Sequence, residues 1–430
     1  MLEKINHYLK NRAESAELFM TDAKSTPVVF KANQLYSVET ANSTGFGLRV
    51  ISNGRVGFSS TNKADNMKAL AENALESARF GELSCFELPA LKELPVVKTI
   101  DEKVMDFEPD KGVELGTKII SILRQKCPDL IADIDITWGK SNYSIYNTSG
   151  CSLKQSMTSF SLSVVGNKVD ENGILWVDDG HYGCDLNLEF DSIVENISRR
   201  VKDAERITRA NSPDSVLFMP QALPSLVSGF MAGLNGKTLQ KGSSPLKGRI
   251  GEKILDNRLT FSDDPTLEFM SGSYAFDDEG MPGSAKKVIE RGVLKDFIFD
   301  LQTAGIMKTK STGNGQRGYS SVPAPGFSNF VISPGQRPVS EIQKNIKNGI
   351  VVYGVLGGGQ SNMLAGDFSL NLHLAYKVEN GEITGRVKDT MISGNIYDVF
   401  NQIIEISSDY RKEGSFLLPA VLFDKMSISG

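Results

Sequence analysis

Histidine is scarce. The chain holds only His7, His181 and His373 in 430 residues, and no two of them share a helical turn. Zinc hydrolysis needs two imidazoles on one helical face with a glutamate beside them, so a dedicated catalytic zinc site is not expected. Cysteine is also sparse. Cys85, Cys127, Cys151 and Cys184 are far apart with no C-x-x-C pair, which argues against a disulfide framework or a structural zinc knot and fits a reduced, cytoplasmic setting. Positive charge does not dominate either: the net charge is −5 and no long basic block occurs, so direct nucleic-acid binding has no electrostatic footing. No run approaches the ~18 apolar residues of a membrane span. The opening "MLEKINHYLKNRAESAELFM" reads as an amphipathic helix with Leu2, Ile5 and Leu9 on one face, and it lacks the features of a signal peptide. A G-x-S-x-G serine elbow is missing. "GGGQSN" (357–362) lacks the Lys-Ser/Thr and helix start of a phosphate loop, so a glycine turn between strands is the better reading.

What remains is an ordinary globular composition, with 40% hydrophobic and 23% charged residues. This length favours two domains. The first half alternates strands and helices. A hairpin over 43–60 turns at Asn53-Gly54, whose residues tolerate positive φ, and apolar residues at helical spacing follow over 66–80. Residues 81–110, with Pro89, Pro95 and Pro109, read as a long surface connection. A helix over 111–127, a strand through Ile134, Ile136 and Trp138, a hairpin over 159–177 turning at Asn172-Gly173, and a charged helix over 189–210 complete this half. "NSPD" (211–214) is turn chemistry and marks the boundary. Beyond it a helix over 224–234 starts with Pro224, and hairpins turn at Glu290-Arg291-Gly292 and Asn380-Gly381. The next long helical period is 395–406. The expected fold is α+β: an N-terminal α/β domain over 1–210 and a C-terminal sheet-rich domain over 211–430, with barrel-like closure as one option.

Three candidate chemistries stand out. "GSYAFDDEGMPG" (272–283) places Asp277, Asp278 and Glu279 in a row before a glycine-proline turn. Adjacent carboxylates can hold a metal, do acid–base work or line a solvated turn, although the spacing matches no EF-hand loop. Ser244-x-x-Lys247 and Ser284-x-x-Lys287 fit a serine–lysine pattern, but too short a pattern to set against chance. His181 has Asp178 and Asp179 nearby, and a solvated loop is a simpler account than a catalytic dyad.

"GSYAFDDEGMPGSAKKVIERGVLKDFIFD", "STGNGQRGYSSVPAPGFSNFVISPG" and "GGGQSNMLAGDFSLNLHLAYKVENGEITG", in this order, resemble the TldD/PmbA family, also called modulators of DNA gyrase. The similarity runs through nearly the whole chain and is densest from about 215 to 400. In the TldD branch of the family, an H-E-x-x-x-H helix and a C-terminal cysteine make a zinc peptidase site. Counting back from "GRIGEK" (248–253), the resemblance places that helix at Val227, Ser228 and Ala232, where neither histidine nor the glutamate stands. "DYRKEG" (409–414), the expected place of the cysteine, has none. The chain therefore resembles the PmbA branch, the metal-free partner. What this implies is a non-catalytic subunit with no cofactor of its own, dimerised with an H-E-x-x-x-H-bearing TldD-type paralogue that carries zinc. The pair would act on small or unfolded polypeptides such as peptide precursors and toxin antidotes. The acids would then form a turn after a strand Tyr274–Phe276 and shape the floor of a pocket lined by Asp277, Asp278, Glu279, Asn314 and Arg317, with Arg317 as their ion partner. An exposed turn without function is the alternative for the acids. For the whole chain the alternatives are a stand-alone metallopeptidase whose metal site forms on oligomerisation, and direct modulation of DNA gyrase.

Overall fold

The computed structural model describes residues 2–210, 212–357 and 362–430. Alternating burial builds the first half into one antiparallel sheet. Its strands are β1 (Ser15–Lys31), β2 (Gln34–Val38), β3 (Ala41–Ser52), β4 (Arg55–Thr61), β5 (Ile131–Asn147), β6 (Ser152–Asp170) and β7 (Gly173–Gly183). They run in the order β4-β3-β1-β5-β6-β7, with β2 paired to the far end of β1. Asn53 and Gly54, at φ 50° and 68°, make the tight turn between β3 and β4 that their chemistry requires. The second turn lies one residue earlier than expected, at Glu171-Asn172, with Gly173 at φ 94° already opening β7.

Side chains of successive strand residues point to opposite faces, so the sheet has two distinct surfaces. One carries Leu18, Phe46, Leu48 and Val50 under helix Met67–Ala78. Further along, Ile134, Ile136, Phe160 and Leu162 lie under helices Pro109–Lys126 and Phe190–Asp203. The other face, offset by one residue, presents Glu17, Phe19, Arg49 and Ile145, and it meets the second half of the chain.

That second half is a mixed sheet. Its main path begins with the hairpin of strands Val293–Leu294 and Lys286–Glu290, then runs through Phe261–Asp263, Phe330–Ile332, Phe416–Asp424, Ser215–Phe218, Asn348–Gly357, Asp367–Glu379 and Glu382–Val387 to Ile207–Thr208. The two ends of this path do not pair, so it is an open sheet and not a barrel. Its core is aromatic: Phe230 packs edge-on against Phe261 and Phe400, with ring centroids 5.3 and 5.0 Å apart. Residues 395–406 depart from the sequence expectation. Only Ile396–Val399 is helical, and Ile403 opens a strand to Glu413 paired with Phe416–Asp424. The β-branched Ile403, Ile404 and Ile406 suit a pleated surface, and this sheet contact outweighs the local helical period.

The halves share a core. The cluster that holds Ile134, Phe160 and Ile197 also holds Leu217, Val351, Tyr376 and Leu422 from the second half. The 81–110 segment, expected as a surface connection, is partly buried through Leu88, Thr99 and Val104 and touches both halves. Asn147 Nδ2 donates to Pro89 O at 2.8 Å, and Phe269 N donates to Lys98 O at 2.9 Å.

Candidate functional site at the seam

The acidic run is neither a strand end nor a solvated turn. Tyr274–Phe276 is irregular, with Phe276 making a single bridge to Pro282, and Asp277 and Glu279 are 2% and 0% exposed. Asp277 ties the reversal together. Its Oδ1 accepts from the amides of Glu279 and Met281 at 3.0 and 2.9 Å, and its Oδ2 accepts from Gly315 N at 2.8 Å. Gly280, at φ 81°, supplies the left-handed residue that closes the turn, and its Cα faces Cys151 and Leu153 of the first sheet.

Glu279 reaches across to the other half. Its Oε1 accepts from Arg49 Nη1 at 2.7 Å and its Oε2 from Leu301 N at 2.7 Å. Arg49 also lies 3.1 Å from Glu17, directly opposite it on β1. Arg317, the expected partner of the acids, is aimed elsewhere: its Nη2 donates to Glu17 Oε1 at 2.7 Å, and its guanidinium stacks 4.4 Å over the Phe19 ring. Of its groups only the backbone N–H hydrogen-bonds the acids, donating to Asp278 Oδ2 at 2.8 Å. The ion partner of the run is therefore Arg49, and Arg317 instead joins the network at Glu17. Next along the chain, Tyr319 lies against β3 at Gly45 and Gly47. A Cβ at Gly45 would stand 2.1 Å from Cγ of the Tyr319 ring, and one at Gly47 would stand 2.5 Å from Tyr319 O.

Above this junction is a cleft of about 440 Å³. Tyr143 and Met157 of the first sheet form one wall, and Ser271–Tyr274, Asp277, Asp278 and Gly315–Arg317 form the rest. Of the residues singled out from the sequence, Asp277, Asp278 and Arg317 line it. Glu279 lies beneath, and Asn314 is buried against Asp263 Oδ2 at 2.8 Å and Gly326 O at 2.9 Å. Burial lifts the Asp278 carboxyl to about 6, while the amide and charge of Arg317 pull it down. Sequence reading missed Glu17, Arg49, Phe19, Gly45 and Gly47. Their signal was present in "AELFM" and "GFGLRVI", where a charge interrupts an apolar strand that would otherwise be buried on both faces.

The remaining candidates resolve into structural roles. Helix Pro224–Gly233 buries Val227 completely among the aromatic residues, and Ser228 Oγ donates to Ser225 O. Val227, Ser228 and Ala232 offer no zinc ligand, so the residues present do not fit that metal. Among the described residues no three His, Cys, Asp or Glu side chains form a set able to hold a metal ion. His181 contacts Asp185 O at 3.1 Å and not Asp178 or Asp179, while Asp178 faces His373 at 3.9 Å. Ser244 Oγ donates to Gly233 O at 2.6 Å, and Lys287 pairs with Glu290. Burial pushes the thiols of Cys151 and Cys184 up to about 11 and about 12, so neither offers a thiolate nucleophile. Residues 358–361 of the "GGGQSN" turn lie outside the described residues. No helix among the described residues is long and apolar enough to cross a membrane.

Residues 212–430 match the family pattern described as the PmbA/TldA metallopeptidase C-terminal domain, and residues 16–78 match PmbA/TldA metallopeptidase domain 1. An uncharacterized protein of Methanocaldococcus jannaschii is 28% identical across 98% of both chains. A protein named "Metalloprotease PmbA homolog" from Haemophilus influenzae is 24% identical across 97% of this chain and 92% of its own. The crystal structure of TldE from Thermococcus kodakarensis superposes with a TM-score of 0.91 at 25% identity, covering 100% of both chains. With its second half matched as a domain, its first strands matched as another and its fold shared from end to end, this chain belongs to the PmbA/TldD metallopeptidase family.

Proposed function

We propose that this chain is the non-catalytic subunit of a cytoplasmic PmbA/TldD-type peptidase, paired with a zinc-bearing, H-E-x-x-x-H-containing paralogue, and that it helps to hold an extended peptide or unfolded chain. The observation that carries this reading is helix Pro224–Gly233. At the positions that the family resemblance assigns to metal and base it has Val227, Ser228 and Ala232, and Val227 is sealed in the core. Amide hydrolysis at neutral pH requires an activated water and stabilisation of the oxyanion, and these side chains supply neither. The seam, in contrast, is elaborately built, with a buried ion network and a cleft shaped from both halves. Such a scaffold without a catalyst fits a binding role beside a competent subunit.

The test is to mix the purified chain with the paralogue and an unfolded peptide. Chelator-sensitive cleavage is expected from the mixture and not from this chain alone. Robust cleavage by this chain alone, with contaminating protease excluded, would overturn the assignment.

A further inference from the structure

Two of the three adjacent acids are fully engaged by the scaffold. Asp277 is held by three backbone amides, and Glu279 by Arg49 and the Leu301 amide. Asp278 differs. It lines the cleft, accepts the Arg317 amide on Oδ2, and is in none of the ion pairs among the described residues. The two arginines nearest to it are committed elsewhere. Arg317 is bound to Glu17 and stacked on Phe19, while Arg49 is bound to Glu17 and Glu279 and stacked 4.6 Å over Phe86. Tyr143, Tyr274 and Met157 line the same cleft as Asp278. Aromatic faces attract cations through the ring quadrupole, and a thioether is polarizable and adaptable. The volume, about 440 Å³, lies within the roughly 300–1,000 Å³ of small-ligand sites.

We infer that this cleft receives a cationic group of the bound chain, a lysine side chain or a terminal ammonium, with Asp278 as its ion partner and Tyr143, Tyr274 and Met157 as its walls. The inference rests on the peptide-holding role proposed above and narrows its ligand to chains that present a positive charge. The charged and titratable groups around Asp278 are Asp277 in its own turn, the Tyr274 phenol, and the Arg317–Glu17 pair across the seam, with Tyr143 also lining the cleft. Burial holds the Tyr274 phenol neutral, well above its ordinary range, so it adds no competing charge. Burial raises the carboxyls of both Asp277 and Asp278, the latter to about 6, but Asp277 is held by three backbone amides, which leaves Asp278 as the carboxyl of the cleft placed to take up a cation as the pH rises from mildly acidic to neutral.

Three short labelled peptides test this by fluorescence anisotropy: one acetylated with a central lysine, one acetylated with norleucine in its place, and the norleucine peptide with a free amino terminus. One or both of the charged peptides should bind the unmodified chain roughly tenfold more tightly than the neutral one at neutral pH. Whichever charged peptide gains identifies the source of the cation. The advantage should vanish in Asp278→Asn, and in the unmodified chain it should fade as the pH falls to about 5. The pH series needs no variant and so decides the matter even if Asp278→Asn misfolds. Equal binding of all three peptides, or a preference that ignores both the variant and the pH, would overturn the inference while leaving the peptide-holding role intact. No peptide binding at all, with or without the paralogue, would remove both.

Discussion

Glu279 is a carboxylate with no exposure to water, and Arg49, itself 3% exposed, is what makes that tolerable. Removing one partner of a buried pair leaves the other charge stranded, which costs about 3–5 kcal/mol. Glu279→Gln keeps an acceptor for the Leu301 amide but leaves Arg49 with Glu17 alone, so denaturant unfolding should show a loss of that order. Arg49→Met on top of Glu279→Gln should cost less than the sum of the two single changes, because the second change removes the stranded charge. Burial raises the carboxyl of Glu279 as it does that of Asp278, but among the described residues Asp278 has no ion pair to offset its burial. Its folded pKa, about 6, lies above the ordinary carboxylate value because burial disfavours the charged form. The folded state therefore binds the proton more tightly than the unfolded chain. This contribution to stability is fully present below the unfolded pKa of about 4 and is lost as the pH rises towards 6. Asp278→Asn, which carries no charge, should come close to the unmodified chain near pH 4 and exceed it by about 3 kcal/mol at neutral pH in urea titrations. A variant that is no more stable at neutral pH than at acid pH, relative to the unmodified chain, would contradict this account.

Among the elements, the loop Gly313–Tyr319 and strand β3 are shaped for each other. The two glycines of "GFG" (45–47) leave the sheet face bare where Tyr319 lies on it, and neither needs its glycine for a positive φ. Gly45→Ala should therefore act through the clash alone. It should destabilise by about 1–3 kcal/mol and open the loop to limited proteolysis. Tyr319→Ala in the same chain should restore part of both, and a clash-independent loss would show as no rescue. The edge of the first sheet is managed differently. Backbone carbonyls of Ile174, Asp178 and Gly180 on β7 accept from Arg386, Arg200 and Arg411, so side chains cap an edge that would otherwise template another strand. Much of this level was legible beforehand. The turn residues Asn53-Gly54, Arg291-Gly292 and Asn380-Gly381 all carry positive φ where a hairpin was expected, and Leu226, Phe230 and Leu234 of the 224–234 segment are buried in the core. Residues 395–406 were misread because three isoleucines fit a helical period and a strand alike, and only the partner strand Phe416–Asp424 decides between them.

Among the described residues the molecule has two large sheets, a small two-stranded one, and a core that runs between the large pair. Ile134 and Phe160 share one cluster with Val351, Tyr376 and Leu422, so neither half completes its packing alone. Residues 1–210 expressed by themselves should lack a cooperative thermal transition, whereas the full chain should show one. A sharp melt and native-like near-ultraviolet signal from the fragment would mean that the shared cluster is dispensable. On the proposed partnership, elemental analysis after dialysis should find no stoichiometric zinc in this chain and about one zinc in the paralogue. About one zinc per copy of this chain would contradict the partner role.

The sequence by itself determined the local grammar: which segments alternate, where the glycine and asparagine turns fall, which helix faces are apolar, and, through three long motifs, the family. Those properties depend on residues a few positions apart, whose preferences act before the chain is folded. Only the tertiary structure decided what the acids at 277–279 do. Glu279 meets Arg49 across 230 positions and Arg317 meets Glu17 across 300, and nothing in local spacing names such partners. Two neighbouring carboxylates thus differ in fate because one is buried opposite a guanidinium and the other opens on a cleft. Desolvation and ion pairing act through space, so the same three letters read alike in sequence and unlike in the folded chain.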